Sequence, residues 1–376
     1  MSALIDIIVP VYDGVEQTRR CLESVRRSSS TKAFELVVVD DASPRPQIGA
    51  ELEALARDGH ITLLRNPQNE GFVRSVNRGM ALHPERDVVL LNSDTEVAND
   101  WLDRLAAAAQ SGDDVATVTP FSNNATICTY PFEGWGEGVP GTLGLAALDR
   151  VFAETNRGKR ADIPTAVGFC MYIRRGCLDR IGAFDAERFG RGYGEENDFC
   201  MRASAAGWRH LIAADVFVFH EGAVSFAEGR AGQLAAAGAA LLERHPGYTA
   251  LVQEFIARDP LAPLRAAIDL ARATVSPAEA TAVLREREAE RRAISEEREA
   301  LRRGLTQATA IVEERTARLA ARDRDLDERD AEIARLHVGL DNAAALAVER
   351  LQELERIRRL PLWRAYRRLV DRRRDE

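Results

Sequence analysis

The sequence predicts an α/β fold, with a mostly parallel sheet covered by helices on both faces and a helical C-terminal region after it. Short β-branched runs alternate with amphipathic helical stretches through the first 120 residues, and the connections between them are short. After Ser276-Pro277 the composition turns to Ala, Arg, Glu and Leu, and proline is absent to about residue 355. Strict strand–helix alternation requires right-handed crossovers, which build a parallel sheet buried on both faces. Ligands of such sheets bind outside the carboxyl ends of the strands.

The elements follow in order. Leu4–Val11 reads as a buried strand, and Val15–Ser29 as a helix with Cys21, Leu22 and Val25 at helical spacing. Phe34–Val39 is a second strand, Ile48–Arg57 a helix, Ile61–Leu64 a strand and Phe72–Leu82 a helix. Asp87–Leu91 is a strand, Trp101–Ala109 a helix and Val115–Thr119 a strand. Residues 120–165 have several glycines and little periodicity, which predicts a long functional or mobile loop. Ala166–Ile173 reads as an edge strand, Phe199–Ala206 as a helix ended by Gly207-Trp208, and Ala213–Phe219 as a last strand. The chain is helical from Ser225 onward. The expected domains are 1–230, a helical extension 231–275, a long helix or coiled coil 276–356, and a basic amphipathic tail 357–376.

Apolar or small residues recur every seventh position from Leu305 through Val312, Leu319, Leu326, Ile333, Leu340 and Ala347 to Leu354. That repeat signals a coiled coil and a homo-oligomer. The companion row is poorer, with Arg315, Arg322 and Arg329 in its middle. A long single helix packed on another surface is the alternative.

Net charge is −8. Residues 1–275 carry 28 basic and 37 acidic side chains, an acidic body that argues against a nucleic-acid polymer as partner. The last 21 residues carry nine Arg and three acids, together with Trp363 and Tyr366. Such a tail suits peripheral contact with an acidic membrane surface. Five cysteines without a CxxC pair fit free thiols in a reducing cytosol. No signal peptide and no run of 18 apolar residues is present, so the expected location is cytoplasmic, on the inner face of the membrane.

The acidic stretch Gly192-Tyr193-Gly194-Glu195-Glu196-Asn197-Asp198 opens a helix. Carboxylates at a helix N-terminus can serve acid/base chemistry, or be ordinary first-turn residues. Asp40-Asp41-Ala42-Ser43 follows a strand, where Asp can accept bonds from a base or ribose, or cap a turn. Asn92-Ser93-Asp94 also follows a strand; Asp94 can bind a hard cation, or form an Asx turn. His220 closes a strand and can be a metal ligand, or a surface or core residue. Asn69-Glu70-Gly71-Phe72 and Asn77-Arg78-Gly79 bracket a helix whose Arg74 and Arg78 can face phosphate.

Taken in order with Val9-Pro10-Val11-Tyr12, Gly168–Arg175 and Ser225-Phe226, these motifs resemble the family-2 glycosyltransferases of the GT-A fold, over about Ile5 to Phe226. The resemblance implies transfer of a sugar, with inversion, from a nucleotide-diphospho-sugar to a glycan or lipid-linked acceptor, in bacterial surface-polysaccharide synthesis. It implies a divalent cation, Mn²⁺ or Mg²⁺, on Asp94 and His220. Tyr12 and Asp41 would hold the base, within a donor site that includes Pro10, Asp40, Asn69, Gly71, Phe72, Asn77, Arg78, Asn92 and Ser93. Glu196 would be the general base, supported by Glu195 and Asp198, and Gly168, Phe169 and Trp208 would line the acceptor side. Asn92 stands where a full DxD motif has its first acid, and Glu196 where the family usually has Asp. A catalytically degenerate scaffold is the rival within this resemblance. A nucleotidyltransferase is the rival outside it, disfavoured because Val11–Val15 lacks Lys and Arg.

Overall fold

A computed structural model of the protein describes residues 4–136, 138–190, 192–222 and 230–359. The basic tail expected at 357–376 lies outside the described residues from 360 onward, as do Ser225 and Phe226. In chain order the elements are β1 (Ile5–Val11), α1 (Val15–Arg27), β2 (Phe34–Asp40), α2 (Pro46–Arg57), β3 (Thr62–Arg65), α3 (Phe72–Met80), β4 (Val88–Leu91) and β5 (Thr95–Glu96). Then come α4 (Trp101–Ala109), β6 (Val115–Ser122), α5 (Leu145–Thr155), β7 (Arg160–Ile163), β8 (Cys170–Ile173), α6 (Arg175–Ile181), α7 (Ala186–Phe189), α8 (Glu195–Ala205) and β9 (Arg209–His220). Four helices close the described chain: α9 (Arg230–Arg244), α10 (Tyr248–Arg258), α11 (Ala262–Val275) and α12 (Pro277–Arg359).

The sheet runs β3-β2-β1-β4-β8-β6-β9-β5, with β7 also paired to β9. β1, β2, β3 and β4 are parallel to their neighbours within this group, as the alternation requires. β6 and β9 are parallel to each other, while β8 inserts antiparallel between β4 and β6. β5 and β7 are antiparallel to β9. The expected edge strand around 166–173 is therefore central. β8 pairs with β4 and β6, and every one of its side chains is buried in the clusters that cover the two faces. The expected loop 120–165 is likewise corrected: it contains α5, with Leu148 and Phe152 buried one turn apart, and β7.

Two hydrophobic clusters cover the two faces of the sheet. One glycine sets how closely a helix approaches. A Cβ on Gly79 of α3 would lie 2.6 Å from Cγ2 of Ile8 in β1, so only glycine permits this packing. Asp6 is fully buried in β1, where His83 Nδ1 and Arg86 Nη1 bond its carboxylate at 2.8 and 2.9 Å. All five cysteines are buried and unpaired.

The chain divides into two compact units, Met1–Arg292 and Ala293–Glu376. In the first unit, α11 and the start of α12 are tied to the preceding domain by Arg272. Its guanidinium is fully buried, bonds Glu279 and Glu286 at 2.6 Å, and donates to Tyr130 Oη at 2.8 Å. The second unit is described over the remainder of α12, whose residues 296–356 are all exposed. Among the described residues, no helix is long and apolar enough to cross a membrane.

Candidate active site

The carboxyl ends of β1, β2, β4 and β9 open onto one cleft of about 260 Å³. Pro10, Val11 and Tyr12 at the end of β1 form one wall with Asp41, Asn69, Gly71, Phe72 and Ser75. Asn92, Ser93, Asp94 and His220 also line the cleft. The remaining lining is Val167, Gly168 and Phe169 before β8, with Gly192, Tyr193, Glu195 and Glu196 around the start of α8.

Asp41 is held rigidly. It accepts bonds from Asn66 Nδ2 at 2.7 Å and from the backbone N–H groups of Glu70 and Gly71 at 2.8 Å. A carboxylate has about four acceptor positions, so one is left for a ligand. Arg78 stabilises this wall from behind, donating to Asn66 Oδ1 and to the Arg65 carbonyl at 2.6 Å. It is not a cleft-lining residue, contrary to expectation, because its guanidinium is committed to the loop that shapes Asp41.

His220 and Asp94 face each other. His220 Nδ1 lies 2.7 Å from the carbonyl of Asn124. A carbonyl only accepts, so Nδ1 carries the hydrogen and Nε2 is left toward Asp94 Oδ1, 3.5 Å away. The Phe169 ring stacks on the imidazole at 5.2 Å, and the Asn123 side chain pairs with both the N–H and the carbonyl of His220. Burial opposes charging this ring, but the hydrogen bond and charge of Asp94 outweigh it, and the pKa is raised. A bare imidazole nitrogen beside a carboxylate is repulsive unless a proton or a cation lies between them. This donor pair therefore fits a divalent cation. Cleft charge agrees: the titratable lining groups are Asp41, Asp94, Glu195, Glu196, Tyr12, Tyr193 and His220, with no Arg or Lys among the described ones. A second cluster, Asp6, Glu35 and His83, has ligand atoms within 4.8 Å of one another. It sits at the opposite end of β1, and Arg86 Nη1 already bonds both carboxylates, at 2.9 and 2.6 Å.

Gly194 has φ +88° and turns the chain into α8. The four residues that follow separate in role. Glu195 and Glu196 enter the cleft, and one carboxylate oxygen of each is buried without a hydrogen-bond partner. Burial pushes the pKa of Glu195 well up, and the charge of Glu196 pushes it further. Burial also raises Glu196, partly offset by backbone amides at the start of α8. A Cβ on Gly168 would lie 3.8 Å from the Glu196 carboxyl carbon, so the backbone there passes beside the acid without covering it. Asn197 accepts a bond from Thr165. Asp198 is turned away, fully buried, and bonded by Arg202 Nε at 2.8 Å, His245 Nε2 at 2.9 Å and Arg244 Nη1 at 3.2 Å.

Asp198 is thus a correction to the expected catalytic set, since its anion is consumed in anchoring α8 to α9. Three further expected residues lie outside the cleft lining. Asp40 accepts from the Ser43 N–H and pairs with Arg65. Asn77 exchanges two bonds with the backbone of Phe184. Trp208 packs in the hydrophobic cluster near α6. Sequence reasoning missed Ser75 and Val167 as lining residues, and Asn123 and Asn124 as supports of His220. The pair Asn123-Asn124 is visible in the sequence, but without its partner strand it reads only as loop.

Residues 6–182 match the family described as Glycosyl transferase family 2. The match covers just under half of the chain, and the α/β fold is the expected one. The match includes Asp41, Asp94 and Gly168 and ends before Glu195, Glu196 and His220. The chain is 24% identical over 236 residues to the uncharacterized protein y4gI of Sinorhizobium fredii, covering 60% of this chain and 25% of that one. It is 28% identical over 163 residues to polypeptide N-acetylgalactosaminyltransferase 4 of Caenorhabditis elegans, covering 41% and 27%. The chain thus spans about a quarter of the length of these curated relatives. Among solved structures, the mannosyltransferase PcManGT of Pyrobaculum calidifontis, in complex with GDP-Man and Mn²⁺, aligns at 18% identity with a TM-score of 0.48, covering 76% of this chain and 79% of that one.

Proposed function

We propose that the protein is an inverting glycosyltransferase that moves a sugar from a nucleotide-diphospho-sugar to a hydroxyl of a glycan or lipid-linked acceptor. The observation that carries this reading is that the Asp94–His220 pair and the Glu195–Glu196 pair line one cleft. The family match supports the donor class. Tyr12 and Asp41 would receive the base, Asp41 through its remaining acceptor position. Asp94 and His220 would hold Mn²⁺ or Mg²⁺, and such an ion would offset charge on the departing diphosphate.

Glu196 accepts the proton of the acceptor hydroxyl while that oxygen bonds to the anomeric carbon and the bond to the diphosphate breaks. A raised pKa brings a carboxylate closer to the basicity that proton removal near neutral pH requires. The clamp on Asp198 keeps the α8 start rigid, which holds the base in line with the donor. Glu196→Gln is expected to keep donor binding and lose transfer by about 10²–10⁴-fold. Near-normal transfer by a folded variant removes Glu196 from this role.

Synthesis of bacterial surface polysaccharide is the proposed setting. The nine Arg of the last 21 residues support peripheral contact with an acidic membrane face. Liposome flotation with and without 357–376 tests this, and equal flotation refutes it.

A further inference from the structure

We propose that the long C-terminal helix pairs with the same helix of a second copy as a parallel, in-register coiled coil. The spine is the seven-residue row Leu305, Val312, Leu319, Leu326, Ile333 and Leu340, which reaches Leu354. Each of these six side chains is more than half exposed, from 51% at Ile333 to 69% at Leu305. An apolar stripe of that length is not left in water without a partner. A strict seven-residue repeat drifts by about 20° per heptad on a straight helix, and supercoiling with another helix keeps the stripe in contact.

Charge on the two flanks identifies the partner and its direction. Three residues after Val312, Leu319 and Leu326 stand Arg315, Arg322 and Arg329, on one flank. Four residues after stand Thr316, Asp323 and Asp330, on the other flank. In a parallel two-fold pair, each flank meets the opposite flank of the second copy. Arg322 then lies level with Asp323 of the second copy, and Arg329 with Asp330, offset by about 1.5 Å along the axis. In an antiparallel pair like flanks meet, setting Arg against Arg, which is unfavourable. A slip by one heptad makes three Arg–Asp pairs where the in-register arrangement makes four, so charge favours the in-register pair.

The contact area suffices. From Leu305 to Leu354 the seam is about 74 Å long and about one helix diameter, 10 Å, wide. Both copies together cover on the order of 1,500 Å², inside the range of stable specific interfaces. The Arg and Asp flanks weaken the seam relative to a fully apolar one, and they supply its specificity.

The test uses the full chain, whose native cysteines are all buried and unpaired. Val312→Cys and Leu340→Cys are made separately and oxidised. A parallel in-register pair cross-links to itself at both positions, whereas an antiparallel pair can do so at one at most. Sedimentation equilibrium should give a dimer. Arg322→Asp with Arg329→Asp should weaken it by at least about tenfold, and adding Asp323→Arg with Asp330→Arg should restore it. A monomer at every concentration reached, a larger assembly, cross-linking at one position only, or no rescue by the second charge pair overturns the proposal.

Discussion

Two neighbouring glutamates on the first turn of α8 share a cleft but differ in the forces on them. Glu195 is raised by burial and by the charge of Glu196, while backbone amides partly relieve Glu196. A carboxyl whose folded pKa lies above its unfolded value of 4.5 contributes stability below that value and loses it as pH rises through the folded one. Glu195→Gln should therefore be more stable than the native chain at about pH 8, with the gain shrinking toward about pH 5. Melting temperatures across that range check this, and a pH-independent difference contradicts it. The presence of acids here was legible from three carboxylates in four residues. Their separation was not. Whether Asp198 faces the cleft or the interior depends on Arg244 and His245, which are far away in sequence and arrive only with the fold. Arg78 lies outside the cleft lining for a similar reason: a helix face shows where a side chain starts, not which carbonyl it ends on.

At the scale of elements, alternating strands and helices were readable up to β4 because their signals are local periodicities. β8 was not, because central and edge strands of four apolar residues look alike until pairing is known. The segment after β6 matters most here. Asn123 and Asn124 lock His220, and Gly222 lets the chain pass close to them. Gly222 has φ +73°, and a Cβ there would lie 2.1 Å from Asn124 Nδ2. Gly222→Ala strains a turn that needs positive φ two residues after His220, and should loosen the ring and weaken cation-dependent nucleotide binding by about tenfold, with the fold retained. Unchanged calorimetric affinity would show that this loop does not position the ring.

At the scale of the whole molecule, the first compact unit extends beyond its sheet. α9 grips Asp198 beneath the glutamates, and the α11–α12 junction is pinned by Arg272. Arg272→Met leaves Glu279 and Glu286 without that buried cation and should cost about 3–5 kcal/mol in urea unfolding of the full chain. A cost under about 1 kcal/mol would mean the junction is held by packing alone. The heptad row was fully legible in the sequence, because a repeat on one helix needs no tertiary information.

The cleft is proposed to take a nucleotide-diphospho-sugar through a cation on Asp94 and His220. Calorimetric titration of a panel of nucleotide sugars into the native chain and Asp94→Ala, each with Mn²⁺ and with chelator, tests it directly. At least one donor should bind the native chain with Mn²⁺, lose at least about tenfold in affinity on chelation, and show no ion dependence with Asp94→Ala. Binding of no nucleotide sugar, or equal affinity with and without the ion in the native chain, would contradict the account.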